Sequence, residues 1–103
     1  MMTLEELRAS FEKNNDECCK FENIANPVHR RPDICAFLML DVAIEKRNEA
    51  GTFSGIISNA GHDEIYLAIN PEDLVTVATD EMIRDLVRCG VMCDDDCGLS
   101  MFV

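Results

Sequence analysis

Residues 33–44 read Asp33-Ile34-Cys35-Ala36-Phe37-Leu38-Met39-Leu40-Asp41-Val42-Ala43-Ile44, the most apolar run in the chain. A run of this length rich in Ala, Leu and Met favours a helix over a buried strand, which is usually about four to eight residues long. Asp33 offers a capping side chain, Glu45-Lys46-Arg47-Asn48-Glu49 continues the helix in polar form, and Gly51 stops it. A helix that is apolar all round must be covered on several sides, which places it in the middle of the domain. Asp41 interrupts the run, and its length is about half of the roughly 20 residues that cross a bilayer, so a core element is expected and a membrane span is not.

The flanking segments read as the cover for this helix. Upstream, Thr3-Leu4-Glu5-Glu6 has capping-box spacing, and Leu4, Leu7 and Phe11 follow at helical spacing until Asn14-Asn15-Asp16 weakens the pattern. From Cys18 to Pro32 there is no clear period, and an irregular, partly packed connection is expected. Downstream, 52–61 is rich in Gly, Ser and Asn and reads as a loop with room for a short strand at Ile56-Ile57. Ile65–Ile69 reads as a strand. Asn70-Pro71-Glu72-Asp73 and Thr79-Asp80-Glu81 each start a short helix, the second with Met82, Ile83, Leu86 and Val87 on a buried face and Gly90 at its end. Val91–Cys93 and Leu99–Val103 then read as a hairpin around Asp94-Asp95-Asp96-Cys97-Gly98.

These elements predict an α+β fold. The small antiparallel sheet, strand 65–69 plus the C-terminal hairpin 91–103, packs against the central helix from about Asp33 to Asn48, and three amphipathic helices complete the cover. The expected core is Phe37, Leu38, Leu40, Ile44, Ile65, Leu67, Ile83, Leu86 and Val87. At 103 residues, 48% of them hydrophobic, the chain has material for a single domain, 1–103, with a modest core.

Charge narrows the function classes. The net charge is −11, and residues 62–103 carry −8 of it, with ten acids against Arg84 and Arg88 alone. Such a segment repels phosphate backbones, so direct nucleic-acid binding is not expected. A strand, two short helices and a hairpin suggest a winged helix-turn-helix, but the turn at Thr79 is too tight, and Asp80, Glu81 and Asp85 oppose Arg84 and Arg88 on the would-be recognition helix. The expected partner is a protein with a basic surface, met by Asp80, Glu81, Asp85, Asp94, Asp95 and Asp96. The plainer alternative is a surface that only keeps a small protein soluble.

Other constellations are weaker. His29-Arg30-Arg31 before the apolar helix could hold an anionic small molecule or nucleotide, or could pair with surplus carboxylates. His62, followed by Asp63 and Glu64, is the best candidate for acid–base catalysis, yet no phosphate loop, nucleophile elbow or HExxH motif accompanies it. The six cysteines are Cys18, Cys19, Cys35, Cys89, Cys93 and Cys97. The fourfold spacing of the last three does not match two separated zinc-knuckle pairs, and Asp94-Asp95-Asp96 lacks the later glutamate of a calcium loop, so no metal site and no cofactor are expected. The start Met1-Met2-Thr3-Leu4-Glu5-Glu6 shows no basic region leading into an apolar stretch, so a cytoplasmic protein with reduced thiols is expected.

The runs His29-Arg30-Arg31-Pro32-Asp33-Ile34-Cys35-Ala36-Phe37-Leu38-Met39-Leu40-Asp41 and Leu86-Val87-Arg88-Cys89-Gly90-Val91, with the ending Leu99-Ser100-Met101-Phe102-Val103, resemble small uncharacterised acidic proteins of tailed bacteriophages and prophages. The resemblance covers about a third of the chain and implies a phage accessory protein, a class rich in short non-enzymatic binders of host machinery. It carries over no functional residue. The expectation is an acidic interaction protein that modulates or inhibits a protein partner.

Overall fold

A computed structural model describes residues 2–48, 57–61, 64–94 and 98–102, and of 42–48, 58, 59 and 102 the backbone alone. Thr3 opens helix α1 (Leu4–Lys13) with a complete capping box. Its hydroxyl accepts from the Glu6 N–H at 3.1 Å, and the Glu6 carboxylate accepts from the Thr3 N–H at 3.0 Å. The chain then takes two single turns of 3₁₀ helix, Asn15–Glu17 and Phe21–Asn23, within the stretch that lacks a period. Helix α2 spans Pro32–Asn48. Strands β1 (Ile57–Ala60) and β2 (Glu64–Leu67) lead to α3 (Pro71–Val77) and α4 (Asp80–Arg88), and β3 (Val91–Cys93) and β4 (Leu99–Phe102) close the order.

The two short helices start where the capping side chains stand. Asn70 accepts from the Glu72 N–H at 3.0 Å, and Thr79 accepts from the Met82 N–H at 3.1 Å. Gly90 ends α4 with φ +96, a left-handed conformation that glycine takes without a Cβ penalty.

The sheet is antiparallel throughout, with strand order β1-β2-β4-β3, so the C-terminal strand is central. The register sets Ile65 opposite Met101 and Met101 opposite Val91, with Leu67 opposite Leu99 in the next inward row. All five are buried, while Tyr66, in the row between them, is exposed. Onto the inner face come Ile83, Leu86 and Val87 of α4, which together with Leu7 and Phe11 of α1, Leu74 and Val75 of α3, and Cys35, Ala36 and Leu40 of α2 form one core. Fully burying a side chain of this kind is worth about 1.5–3 kcal/mol.

The α+β class is as read from the sequence, and four details differ. The sheet has four described strands: 57–60, read mostly as loop, pairs with β2. β2 ends at Leu67, two residues short of the expected Ile69, because Asn70-Pro71 already turns the chain into α3. Helix α2 begins at Pro32, whose missing N–H costs nothing at a first helical position, so Asp33 stands in the first turn and not at the cap. Most importantly, α2 packs on α3 and α4, and it is α1 and α4 that reach the sheet through β3. Among the described side chains of α2, 32–41, Leu38 is 50% exposed and Phe37 half-buried, so this part of the helix carries one buried stripe and is not covered all round. Ile44 of the expected core, Gly51, and the expected Ile56 lie outside the described side chains.

Candidate functional site

The α1 residues Arg8, Phe11 and Glu12 fall at i, i+3 and i+4, one stripe of a helix, and Asn15 of the following 3₁₀ turn continues their line. Across from this stripe run four consecutive residues, Val91, Met92, Cys93 and Asp94, of β3 and its turn. Between them lies a groove of about 380 Å³, floored by the buried Phe11, Val87 and Val91. Glu12, Asp94 and Arg8 are exposed where they line it, and the half-buried Cys18 lines it as well. β3 is the edge of the sheet, with no described strand on its outer side. An apolar floor with charged walls next to a strand edge is a surface on which an extended segment can dock.

The acids singled out in the sequence have different surroundings. Asp80 is a junction between α1 and α4. It accepts from the buried Ser10 hydroxyl at 2.6 Å and from Asn14 Nδ2 at 3.4 Å, and it pairs with Lys13 at 3.0 Å and Arg84 at 3.3 Å. The Ser10 hydrogen bond, followed by Lys13, holds its carboxyl below the ordinary value. Asp85 pairs with Arg88 at 3.1 Å, and the same guanidinium reaches Glu17 at 3.2 Å, pinning the first 3₁₀ turn to α4. The Arg88 hydrogen bond lowers the Glu17 carboxyl, and Glu17 in turn raises the Arg88 guanidinium. Glu81 is exposed. Asp94 accepts from the Gly98 N–H at 2.8 Å and so shapes the hairpin, while Asp95 and Asp96 lie outside the described residues.

The basic cluster is folded on itself. His29 Nδ1 accepts the Arg31 N–H at 3.1 Å, and the Arg31 guanidinium pairs with Asp33 at 3.5 Å. Arg30 is exposed. His62 and Asp63 lie outside the described residues.

Among the cysteines, Cys35 and Cys89 are buried neighbours, and burial, reinforced by Cys35, pushes the Cys89 thiol up to about 12. Cys18 and Cys19 stand with their sulfurs 3.5 Å apart. Among the described residues no group of three or more His, Cys, Asp or Glu side chains is placed to hold a metal ion, and Cys97 is not among them. No helix among the described residues is long and apolar enough to cross a membrane.

The groove was not legible in the sequence, although half of it was: the 8, 11, 12, 15 spacing is visible, but its opposite wall is 76 or more residues away in the chain. No protein-family model matches this chain, and neither a curated protein nor a solved structure is significantly similar to it.

Proposed function

We propose that this is a non-enzymatic acidic interaction protein that binds a basic protein segment in the groove between α1 and β3 and thereby modulates or inhibits its partner. The observation that carries the reading is the groove itself, with Phe11, Val87 and Val91 beneath Glu12 and Asp94, in a chain of net charge −11. Apolar side chains of the partner go down to the floor, and its Lys and Arg meet the two wall carboxylates. The surplus negative charge steers a basic partner toward the surface and speeds encounter. Asp80 and Asp85 hold the frame, and the contact role passes to Glu12 and Asp94 of the groove. The likeness to small acidic phage proteins supplies a setting, in which the partner is a host protein whose basic surface normally meets nucleic acid.

The test starts from affinity capture on the immobilised full chain, followed by association kinetics with the purified captured protein. Glu12→Gln with Asp94→Asn removes two charges while the asparagine keeps an oxygen for the Gly98 N–H. Association is expected to slow in the double variant, and wild-type association to slow as salt rises and the Debye length shrinks from about 10 Å at 0.1 M to about 3 Å at 1 M. An association rate indifferent both to salt and to the double substitution overturns the reading.

A further inference from the structure

Cys18 and Cys19 are adjacent in sequence, yet their side chains do not diverge. Consecutive side chains of a strand point to opposite faces, and those of a helix are about 100° apart around the axis. Here Cys19 takes φ +62, in the left-handed region that costs a non-glycine residue about 1–2 kcal/mol. The Cys19 N–H donates to the Val87 carbonyl at 3.1 Å, which holds the conformation against the end of α4. The result is an Sγ···Sγ separation of 3.5 Å. Cys19 is exposed, whereas Cys18 is half-buried and lines the groove.

We propose that Cys18 and Cys19 form a reversible dithiol oxidation site that closes to a vicinal disulfide by exchange with a small-molecule disulfide such as oxidised glutathione. The exposed Cys19 loses its proton to solvent and, as thiolate, attacks one sulfur of the small disulfide. A Cys19–S–S–glutathione bond forms and one glutathione thiolate leaves. Cys18 then gives up its proton to solvent and attacks the Cys19 sulfur, and the second glutathione thiolate leaves. Two protein thiols are oxidised, one small disulfide is reduced to two thiols, and no other oxidant is needed. The order of attack follows exposure, since burial and the neighbouring Cys19 sulfur raise the Cys18 thiol and make it the resolving partner.

Reversibility follows from geometry. Neighbouring Cα atoms across a trans peptide are about 3.8 Å apart, below the usual 4.4–6.8 Å of disulfide-linked residues, so the closed ring is strained and easily reduced. Strained, exposed disulfides are the labile ones.

The experiment equilibrates the folded full chain with defined ratios of oxidised to reduced glutathione, quenches with acid, and alkylates and digests with trypsin. Cleavage after Lys13 and Lys20 releases 14–20, which holds Cys18 and Cys19 and no other cysteine. In oxidising mixtures this peptide is expected to lose both alkyl groups and two hydrogens together, returning to the doubly alkylated form on reduction. In Cys18→Ser it is expected to stop as the glutathione adduct of Cys19, and the same wild-type chain held in denaturant is expected to close far less. A wild-type peptide that accumulates the adduct without closing, closure that is equal in denaturant, or linkage of Cys18 or Cys19 to a different cysteine overturns the proposal.

Discussion

Asp80→Ala separates a structural carboxylate from a partner-binding one. In the folded chain this side chain ties Ser10, Lys13 and Asn14 of the α1 region to Arg84 on its own helix, and it occupies the first turn of α4, where a negative charge also favours the helix dipole. A hydrogen bond to a charged group contributes about 1.5–3 kcal/mol when shielded. Here the carboxylate is 35% exposed and Lys13 65% exposed, so solvent screening brings the whole junction down to about 1–2 kcal/mol. For a domain of this size, that lowers the melting temperature by about 5–10 °C. Acid provides the second axis. The folded Asp80 carboxyl lies below its ordinary 3.8, so its stabilisation is complete above 3.8 and is lost as pH falls through the lowered folded value. The stability gap between wild type and Asp80→Asn is therefore full at neutral pH and closes on acidification. Thermal unfolding followed by circular dichroism across that range reads both quantities. An Asp80→Ala protein that melts with the wild type, or a gap that acid leaves unchanged, refutes the reasoning.

Helix α2 gives a sharper contrast within one turn. Leu40→Ala, at a fully buried position, is expected to cost about 2–5 kcal/mol in denaturant unfolding, whereas Leu38→Ala, at a position 50% exposed, stays within about 0.5 kcal/mol. Gly90→Ala places a Cβ at an unexceptional 3.6 Å from Cys19 Sγ but forces alanine to φ +96, so destabilisation of about 1–2 kcal/mol is expected from the backbone alone, measured in the same titration. In the native state Cys89, with its thiol near 12, is expected to resist iodoacetamide at pH 8 and to react only on unfolding, whereas Cys19 is alkylated at once; peptide mapping against time checks this.

The elements whose start is written in local chemistry were legible in the sequence: the Thr3 box, the Asn70-Pro71 start and the Thr79 cap all act within four residues. What α2 would touch was not legible. Seven apolar side chains in a row, Ile34 to Leu40, leave the buried stripe unspecified until α3 and α4 select Cys35, Ala36 and Leu40 and leave Leu38 to solvent. The candidate site fared similarly. Counting charges by segment located an acidic half, but whether a carboxylate faces solvent or a cation depends on contacts between residues far apart in the chain, such as Asp80 with Lys13 and Glu17 with Arg88. Vicinal cysteines were visible, but their shared orientation required the left-handed turn at Cys19.

The most direct test of the groove as the docking site is an amide chemical-shift titration of the ¹⁵N-labelled full chain with the purified captured partner. The account predicts that the perturbed amides cluster at Arg8, Phe11 and Glu12 of α1, at Asn15 of the 3₁₀ turn after it, and at Val91–Asp94 of β3 and its turn, with α2 unaffected. Perturbations confined to α2, or to the His29–Arg31 segment, with the α1 and β3 amides unmoved, would contradict it.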